Sequence, residues 1–461
     1  MKEQFSLDDT IASYASFPSK AAVGVIKISG RDSLKIISRI FRPKRKKDIR
    51  KVKTYTLHYG WIIERPKGRV IDEVLVGLMR APFSYTREDV VEIYSHSGQL
   101  VLSKILDLVL REGARLAQPG EFTKRAFLHG RIDLSQAEAI LDIVEAKSEK
   151  ALEVGVSQLR GGLSNLLIEI ENILQDLCSK LEAELSFPED VEIEERSLLA
   201  DIKKVEVKIK NLLESSQEGR FLREGVLSVI CGRTNVGKSS LLNMLLKEER
   251  VIVTPLPGTT RDAVEEDISI RGLPLKIYDT AGILEPRDLV EKKALESSLR
   301  KIEEADLILL VFDGSQKLTD EDYFLIKKTK KKKVIFVINK IDLSQKIEED
   351  TLRKCKKPIV KISALLSRGL KDLEKKILRT ILKKGLDKKE GIFLSNIRHI
   401  NLLKEALNFI CQARDDFKEG YSSEFSFFSL RSALEKIYQI RGKVFSEEIL
   451  KSIFSNFCIG K

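Results

Sequence analysis

The sequence is poor in cysteine and has no long apolar run, and each scarcity closes off a class of protein. Its five cysteines, Cys178, Cys231, Cys355, Cys411 and Cys458, stand far apart, and none forms a C-x-x-C pair. A zinc cluster or disulfide framework is therefore not expected, and a reducing cytoplasm suits the chain. No apolar stretch approaches the ~18 residues that a membrane-spanning helix requires. The opening residues Met1-Lys2-Glu3-Gln4-Phe5 carry no apolar signal core, which argues against export. No internal repeat or low-complexity linker is present. What remains is a charge-rich globular composition, with 43% hydrophobic and 33% charged residues. At roughly 100–200 residues per domain, 461 residues predict about three domains. The net charge of +12 is compatible with a polyanionic partner and does not name one.

The patterning changes twice along the chain. Up to residue 118, short apolar runs alternate with turn residues. Val23–Ile28, Tyr55–Ile63, Val70–Leu78 and Val90–Tyr94 read as strands, and Gly98–Arg111 as a helix. The run Arg42-Pro-Lys-Arg-Lys-Lys47 reads as a basic loop. From 119 to 218 long helices are expected. Leu163, Leu166/Leu167, Ile170, Ile173/Leu174, Leu177 and Leu181 keep a stripe of period near 3.5, up to Pro188. Residues 385–461 are helical again, with Leu402/Leu403, Ala406, Phe409/Ile410 and Ala413, then Leu430, Ala433/Leu434 and Ile437, at helical spacing. Strand and helix alternate from 219 to 384. The economical reading is an α+β amino-terminal domain, a split all-α helical domain, and an α/β domain inserted into the latter. The lysine run Lys327–Lys333 suits a solvated helix C-terminus.

The inserted segment carries four chemical signatures in order. Gly232-Arg-Thr-Asn-Val-Gly237-Lys238-Ser239 matches G-x-x-x-x-G-K-[ST] between the strand Val226–Ile230 and the helix Ser240–Leu246. Backbone N–H groups from Asn235, Val236, Gly237, Lys238, Ser239 and Ser240 would converge on phosphate oxygens at a helix N-terminus. Lys238 would neutralise the β- and γ-phosphates, and Ser239 would hold Mg²⁺. Asp279-Thr280-Ala281-Gly282 follows the strand Leu275–Tyr278, placing a carboxylate for water-mediated contact with Mg²⁺. Asn339-Lys340-Ile341-Asp342 follows the strand Val334–Ile338. Its aspartate can accept two hydrogen bonds from guanine, which adenine does not supply. Ser363-Ala364 follows Ile359–Ile362, where a backbone contact to guanine O6 is required. GTP binding follows from the set. Within Thr254-Pro-Leu-Pro-Gly-Thr259-Thr260-Arg-Asp262, Thr260 can ligand Mg²⁺ while a γ-phosphate is present. Ile283 after the Asp-Thr-Ala-Gly string has no group to orient an attacking water, so another residue must do so.

The Gly-Thr-Thr-Arg-Asp string, with Asn235 inside the phosphate loop, resembles the TrmE–Era–EngA branch of the translation-factor-related, Ras-like GTPases. That resemblance implies a K⁺ ion held by the Asn235 side chain and the carbonyls of Thr254, Leu256 and Thr259. The flanks narrow it. Asp9-Thr-Ile-Ala12, Val23–Gly30, Ser84–Glu92, Pro119–Arg131 with Asp133–Ala139, and the Phe457-Cys458-Ile-Gly-Lys461 terminus resemble the MnmE (TrmE) family of tRNA modification GTPases over all three regions.

Membership would imply a homodimer that acts with MnmG, a flavoprotein holding FAD. Together they install an aminomethyl or carboxymethylaminomethyl group at carbon 5 of the tRNA wobble uridine. A tetrahydrofolate would donate the one-carbon unit, with contacts at Lys27, Glu92, Arg131 and Lys461. Hydrolysis would depend on pairing of two GTPase domains, with Glu291, twelve residues after Asp279, placing the water through a bridging water. Cys458 is either a reactive group of the modification chemistry or a small structural residue beside the folate site. The chain departs from the family pattern at Phe17–Ala22, Lys27, Arg87, Ser97, Arg131 and Leu284. A GTP-switched ribosome-assembly or RNA-binding factor is the rival reading. It would need a module such as KH, whose Gly-x-x-Gly loop between helices is not found. A dimerising scaffold is the other.

Overall fold

The computed structural model describes residues 8–16, 21–45, 48–66, 68–146, 148–189, 194–248, 265–279, 300–382 and 393–461. They form two compact units, one from the residues up to Leu141 together with Tyr438–Lys461, the other from Asp142–Ile437. Among the described residues no helix is long and apolar enough to cross a membrane.

The first unit is built on β1 (Ile11–Tyr14), β2 (Ala21–Ser29), α1 (Ser33–Ile40), β3 (Phe41–Pro43), β4 (Thr56–Glu64), β5 (Arg69–Met79), β6 (Val90–Ser97), α2 (Gln99–Arg111), β7 (Arg115–Leu116) and α3 (Glu121–Leu128). The strands make one sheet in the order β3-β4-β5-β6-β2-β1-β7. Strand residues on one face, among them Ile26, Ile28, Ile62, Val74, Val76 and Ile93, pack under Ile36, Ile37 and Ile40 of α1 and Leu102, Ile105 and Val109 of α2. That alternation is what a sheet covered by helices on one side demands. Arg42 and Pro43, expected in a loop, instead extend the edge strand β3, where Arg42 faces Trp61 across the ladder. α4 (Leu134–Val144) leads towards the second unit. The helix Glu447–Phe454 returns to the first, where Leu450, Phe454 and Phe457 join Ala126, Phe127, Leu134 and Ala137 in one apolar cluster.

The second unit contains α5 (Glu149–Leu159), α6 (Gly162–Ser186), α7 (Glu195–Glu214) and α8 (Ser216–Glu224) before a six-stranded sheet. Along the 25 residues of α6, Leu163, Leu167, Ile170, Leu174, Leu177 and Leu181 are buried, which is the stripe read in the sequence. The sheet elements are β8 (Val226–Cys231), α9 (Lys238–Glu248), β9 (Glu265–Ile270), β10 (Leu273–Asp279), β11 (Leu307–Asp313), α10 (Asp320–Thr329), β12 (Val334–Asn339), α11 (Glu349–Lys354), β13 (Ile359–Lys361) and α12 (Leu370–Ile381). α13 (Ile397–Lys418) and α14 (Ser423–Arg441) follow.

The strand order is β13-β12-β11-β8-β10-β9, parallel throughout except for the β9–β10 pairing. β11 and β12 are buried at every residue, as strands covered on both faces must be. α9 and α12 contribute to one flanking core, α10 and α11 to the other. β8 lies between β10 and β11, so the loop leaving its C-terminal end emerges where the connectivity reverses, the usual place for a ligand in such sheets.

Candidate functional site: a phosphate loop and a cation–aromatic cluster

The loop leaving β8 has the geometry its glycines allow. Asn235 (φ 62°) and Gly237 (φ 93°) both lie in the left-handed region. A Cβ on Gly237 would sit 2.3 Å from Asn339 Nδ2, so this position excludes a side chain for two independent reasons. The Lys238 side chain doubles back over the loop, and its Nζ donates to the carbonyls of Gly232 (3.0 Å) and Arg233 (2.9 Å). Its ammonium is thereby held at the N-terminus of α9, beside the exposed Ser239 and Ser240.

Two neighbouring loops are stitched to this one. Asn339 Nδ2 donates to Val236 O at 2.9 Å, while Asn339 Oδ1 accepts from the Ala364 amide at 2.9 Å. Lys340, also left-handed (φ 63°), donates from Nζ to Asn235 O at 2.8 Å and pairs with Asp313 Oδ2 at 2.7 Å. Burial alone would raise the Asp313 pKa. The Lys340 ammonium and the Ser315 hydroxyl and amide overcome that and hold it below the usual range. Asp313 itself carried no recognisable signature: it is the last residue of an apolar strand.

Asp342 lies exposed at the end of the same loop, where Ser363 Oγ donates to its Oδ1 at 2.5 Å. That hydrogen bond, with one from its own backbone, lowers its pKa. The carboxylate stays ionised and acceptor-only, the state that two guanine N–H donors require. Asp279 ends β10 beside Ile230 of β8, so its backbone reaches the same sheet edge. Thr254, Leu256, Thr259, Thr260, Thr280, Ala281, Gly282 and Glu291 lie outside the described residues, as does the Asp279 side chain. Among the described residues no group of three or more His, Cys, Asp or Glu could hold a metal ion.

In the first unit, the side of the sheet facing away from α1 and α2 carries a second constellation. Lys27 on β2 and Glu92 on β6 are cross-strand partners, with Nζ 3.7 Å from Oε1. Tyr94 OH donates to Glu92 Oε2 at 2.5 Å, which drives the phenol pKa up to about 12. Lys27 Nζ also lies 5.1 Å from the Tyr85 ring centre and 5.4 Å from that of Phe122. Arg131 Cζ lies 4.6 Å from the Tyr85 ring centre. Burial pushes the Lys27 pKa down. Glu92 opposes the shift, while Lys461 and Arg131 add to it. Lys461 reaches this neighbourhood because its carbonyl accepts from the Phe122 amide at 3.2 Å. Gly460 (φ 97°) passes so close to β1 that a Cβ would lie 2.0 Å from Tyr14 O. Cys458 is exposed nearby in sequence.

Thus Lys27, Glu92 and Arg131 meet around the Tyr85 ring, and Lys461 lies near enough for its charge to act on Lys27. Tyr85, Tyr94 and Phe122, which touch this group, carried no signature of their own, although all three lie in or beside strings that carried the resemblance. Behind Phe122, Arg125 is buried and binds Glu88 (2.9 Å), Glu121 (3.2 Å) and Asp9. Asp9 and Glu121 also bind Arg115. This network ties α3 to β7 and to the segments holding Asp9 and Glu88; its Glu121–Arg125 pair has helical spacing, but no spacing rule links Arg125 to Asp9 or Glu88.

The family description "MnmE helical domain" matches residues 134–458, and "GTP-binding protein TrmE N-terminus" matches residues 10–131. A relative from Thermoanaerobacter pseudethanolicus, named tRNA modification GTPase MnmE, is 45% identical over 98% of this chain and 99% of its own length. One of the same name from Alkaliphilus oremlandii is 42% identical over 99% of this chain and 100% of its own. Among solved structures, Aquifex aeolicus Era bound to GDP and AlF4⁻ is 31% identical over 40% of this chain and 65% of that chain. Its TM-score is 0.29, too low to add to the argument. The full-length identities and the two matching regions carry the conclusion that the chain belongs to the MnmE (TrmE) family of tRNA modification GTPases.

Proposed function

We propose that this GTPase couples GTP hydrolysis in K⁺ to building the 5-carboxymethylaminomethyl or aminomethyl group on the wobble uridine of certain tRNAs. It would do so in the cytoplasm, as a homodimer joined by the flavoprotein MnmG with its FAD. In the hydrolytic step a water oxygen bonds to the γ-phosphorus as the bond to the β–γ bridging oxygen breaks, giving GDP and phosphate. Lys238 neutralises charge on the β- and γ-phosphates. Ser239 and Thr260 ligand Mg²⁺, with Asp279 contacting it through water. Asn235 with the carbonyls of Thr254, Leu256 and Thr259 holds K⁺. Glu291 positions the water, and Asp342 with Ala364 selects guanine. Pairing of the two GTPase domains completes the site.

In the first unit the residues present fit a folate. Glu92 offers acceptors to the donor edge of a pterin, Tyr85 and Phe122 offer ring faces, and Arg131 and Lys461 offer cations to a glutamate tail. A bound tetrahydrofolate would supply the one-carbon unit. The observation that carries this reading is the meeting of Lys27, Glu92 and Arg131 around the Tyr85 ring in a chain that also carries the phosphate loop.

The test is reconstitution with MnmG, tRNA, 5,10-methylenetetrahydrofolate and GTP in K⁺ buffer, read by mass spectrometry of tRNA nucleosides. Glu92→Gln is expected to remove the modified uridine and to leave GTP turnover in place. A normal nucleoside profile in that variant would overturn the folate assignment. Glu291→Ala should retain GTP affinity and lose K⁺-stimulated turnover, and unchanged turnover would remove Glu291 from the mechanism.

A further inference from the structure

The edge of the GTPase sheet furthest from β9 carries an unusual charge arrangement. An open groove of about 350 Å³ runs between the three-residue edge strand β13 and helix α12, lined by Lys361, Lys375, Lys376, Arg379 and a single acid, Asp372. Lys371, Lys375 and Arg379 are exposed at four-residue spacing, so they form one row along α12 with a rise of about 6 Å per step. Like charges at that spacing destabilise a helix. The helix macrodipole accounts for Arg379 in the last turn. It does not account for Lys371, which stands in the first turn, where a cation is disfavoured. Asp372, three residues before Lys375, relieves the row in part, while Glu374 turns inward to Arg271 at 3.0 Å. Lys361 has a partner in Glu349.

We propose that this groove, together with the exposed cation row beside it, binds the phosphate backbone of RNA, with Lys375 and Arg379 in the groove and Lys371 at the start of the helix each facing a phosphate. The proposal rests on tRNA being the substrate. A flexible cation row beside a shallow groove suits a regularly spaced polyanion, and binding relieves the repulsion that the free helix carries. α12 begins just after the Ser363–Ala364 loop, so the row lies on the same domain as the guanine contacts without being part of them.

The experiment uses the full chain and fluorescently labelled tRNA, with affinity measured between 50 and 200 mM KCl. The triple variant Lys371→Gln, Lys375→Gln, Arg379→Gln is expected to bind about tenfold more weakly, with a salt slope smaller by about 2–3. Its GTP turnover without tRNA should be unchanged. The charge-conserving set Lys371→Arg, Lys375→Arg, Arg379→Lys should bind as the wild type does. Equal affinity and slope in the glutamine variant would overturn the groove assignment and leave the tRNA reading standing. So would loss of binding to phosphatidylserine vesicles with tRNA affinity unchanged, which would assign the row to a lipid surface. A wild-type chain that fails to bind tRNA would overturn both.

Discussion

At the scale of single residues, the guanine end of the site makes the sharpest prediction. Asp342 is exposed, ionised and held by Ser363, and in the proposed reading its two acceptor oxygens would meet the base. Asp342→Asn turns one acceptor into a donor that faces guanine donors. GTP affinity should fall by about 100-fold or more, and xanthosine triphosphate, which presents a carbonyl at position 2, should become the better ligand. Competition binding with the two nucleotides checks this, and retained GTP preference would show that Asp342 does not read the base. These residues were legible in the sequence because each sits at the end of an apolar strand in a short fixed string. Asp313 was not, although it ends β11 in the same way. Its role depends on Lys340 folding back to it from a left-handed backbone, and no string encodes that.

Between elements, a carboxylate clamp joins α7 to α13. Glu206 is 1% exposed and accepts hydrogen bonds from Lys203 at 3.2 Å and from Lys210 on its own helix, while Arg414 of α13 reaches it at 3.1 Å. Burial works to raise its pKa, but the three cations outweigh it and bring the group from 4.5 down to about 2. Between those values the unfolded chain binds the extra proton. The clamp's contribution is therefore complete above pH ~4.5 and is lost as the pH falls towards ~2. Glu206→Gln should lower stability at pH 7 by about 2 kcal/mol and flatten the acid limb of a plot of Tm against pH. Melts of both proteins from pH 3 to 7 measure this, and parallel curves would contradict it.

At this scale the long α6 was plain from its leucine stripe, whose period needs no partner to be seen. β1, α1, β3 and β7 were not read as elements. Each is eight residues or fewer, too short for periodicity to rise above its surroundings, and the three strands exist because a neighbouring strand completes their hydrogen bonds.

For the whole molecule, the informative fact is that the first unit draws on residues nearly 300 positions apart. Gly460 is where that closure is tightest, with a left-handed backbone and no room for a side chain against Tyr14. Gly460→Ala should unseat the terminal segment and break the hydrogen bond from the Phe122 amide to Lys461. Amide exchange at Phe122 should then accelerate while exchange in β11 and β12 stays at the wild-type rate. Unaltered exchange at Phe122 would mean that the tail is held elsewhere. The sequence placed Lys461 near Lys27 by resemblance alone, since contact between such distant residues has no local signal.

That closure also sets an order of events during synthesis. Residues 142–437 must be translated between the two parts of the first unit. At about 5–20 residues per second, the amino-terminal sheet waits on the order of 15–60 s for its last partners. Until then Ala126, Phe127 and Leu134 lack the cover of Leu450, Phe454 and Phe457. A nascent chain of this protein therefore passes through a long interval with a bare apolar surface and without Lys461 beside Lys27. The ribosome finishes the GTPase before it finishes the domain that comes first.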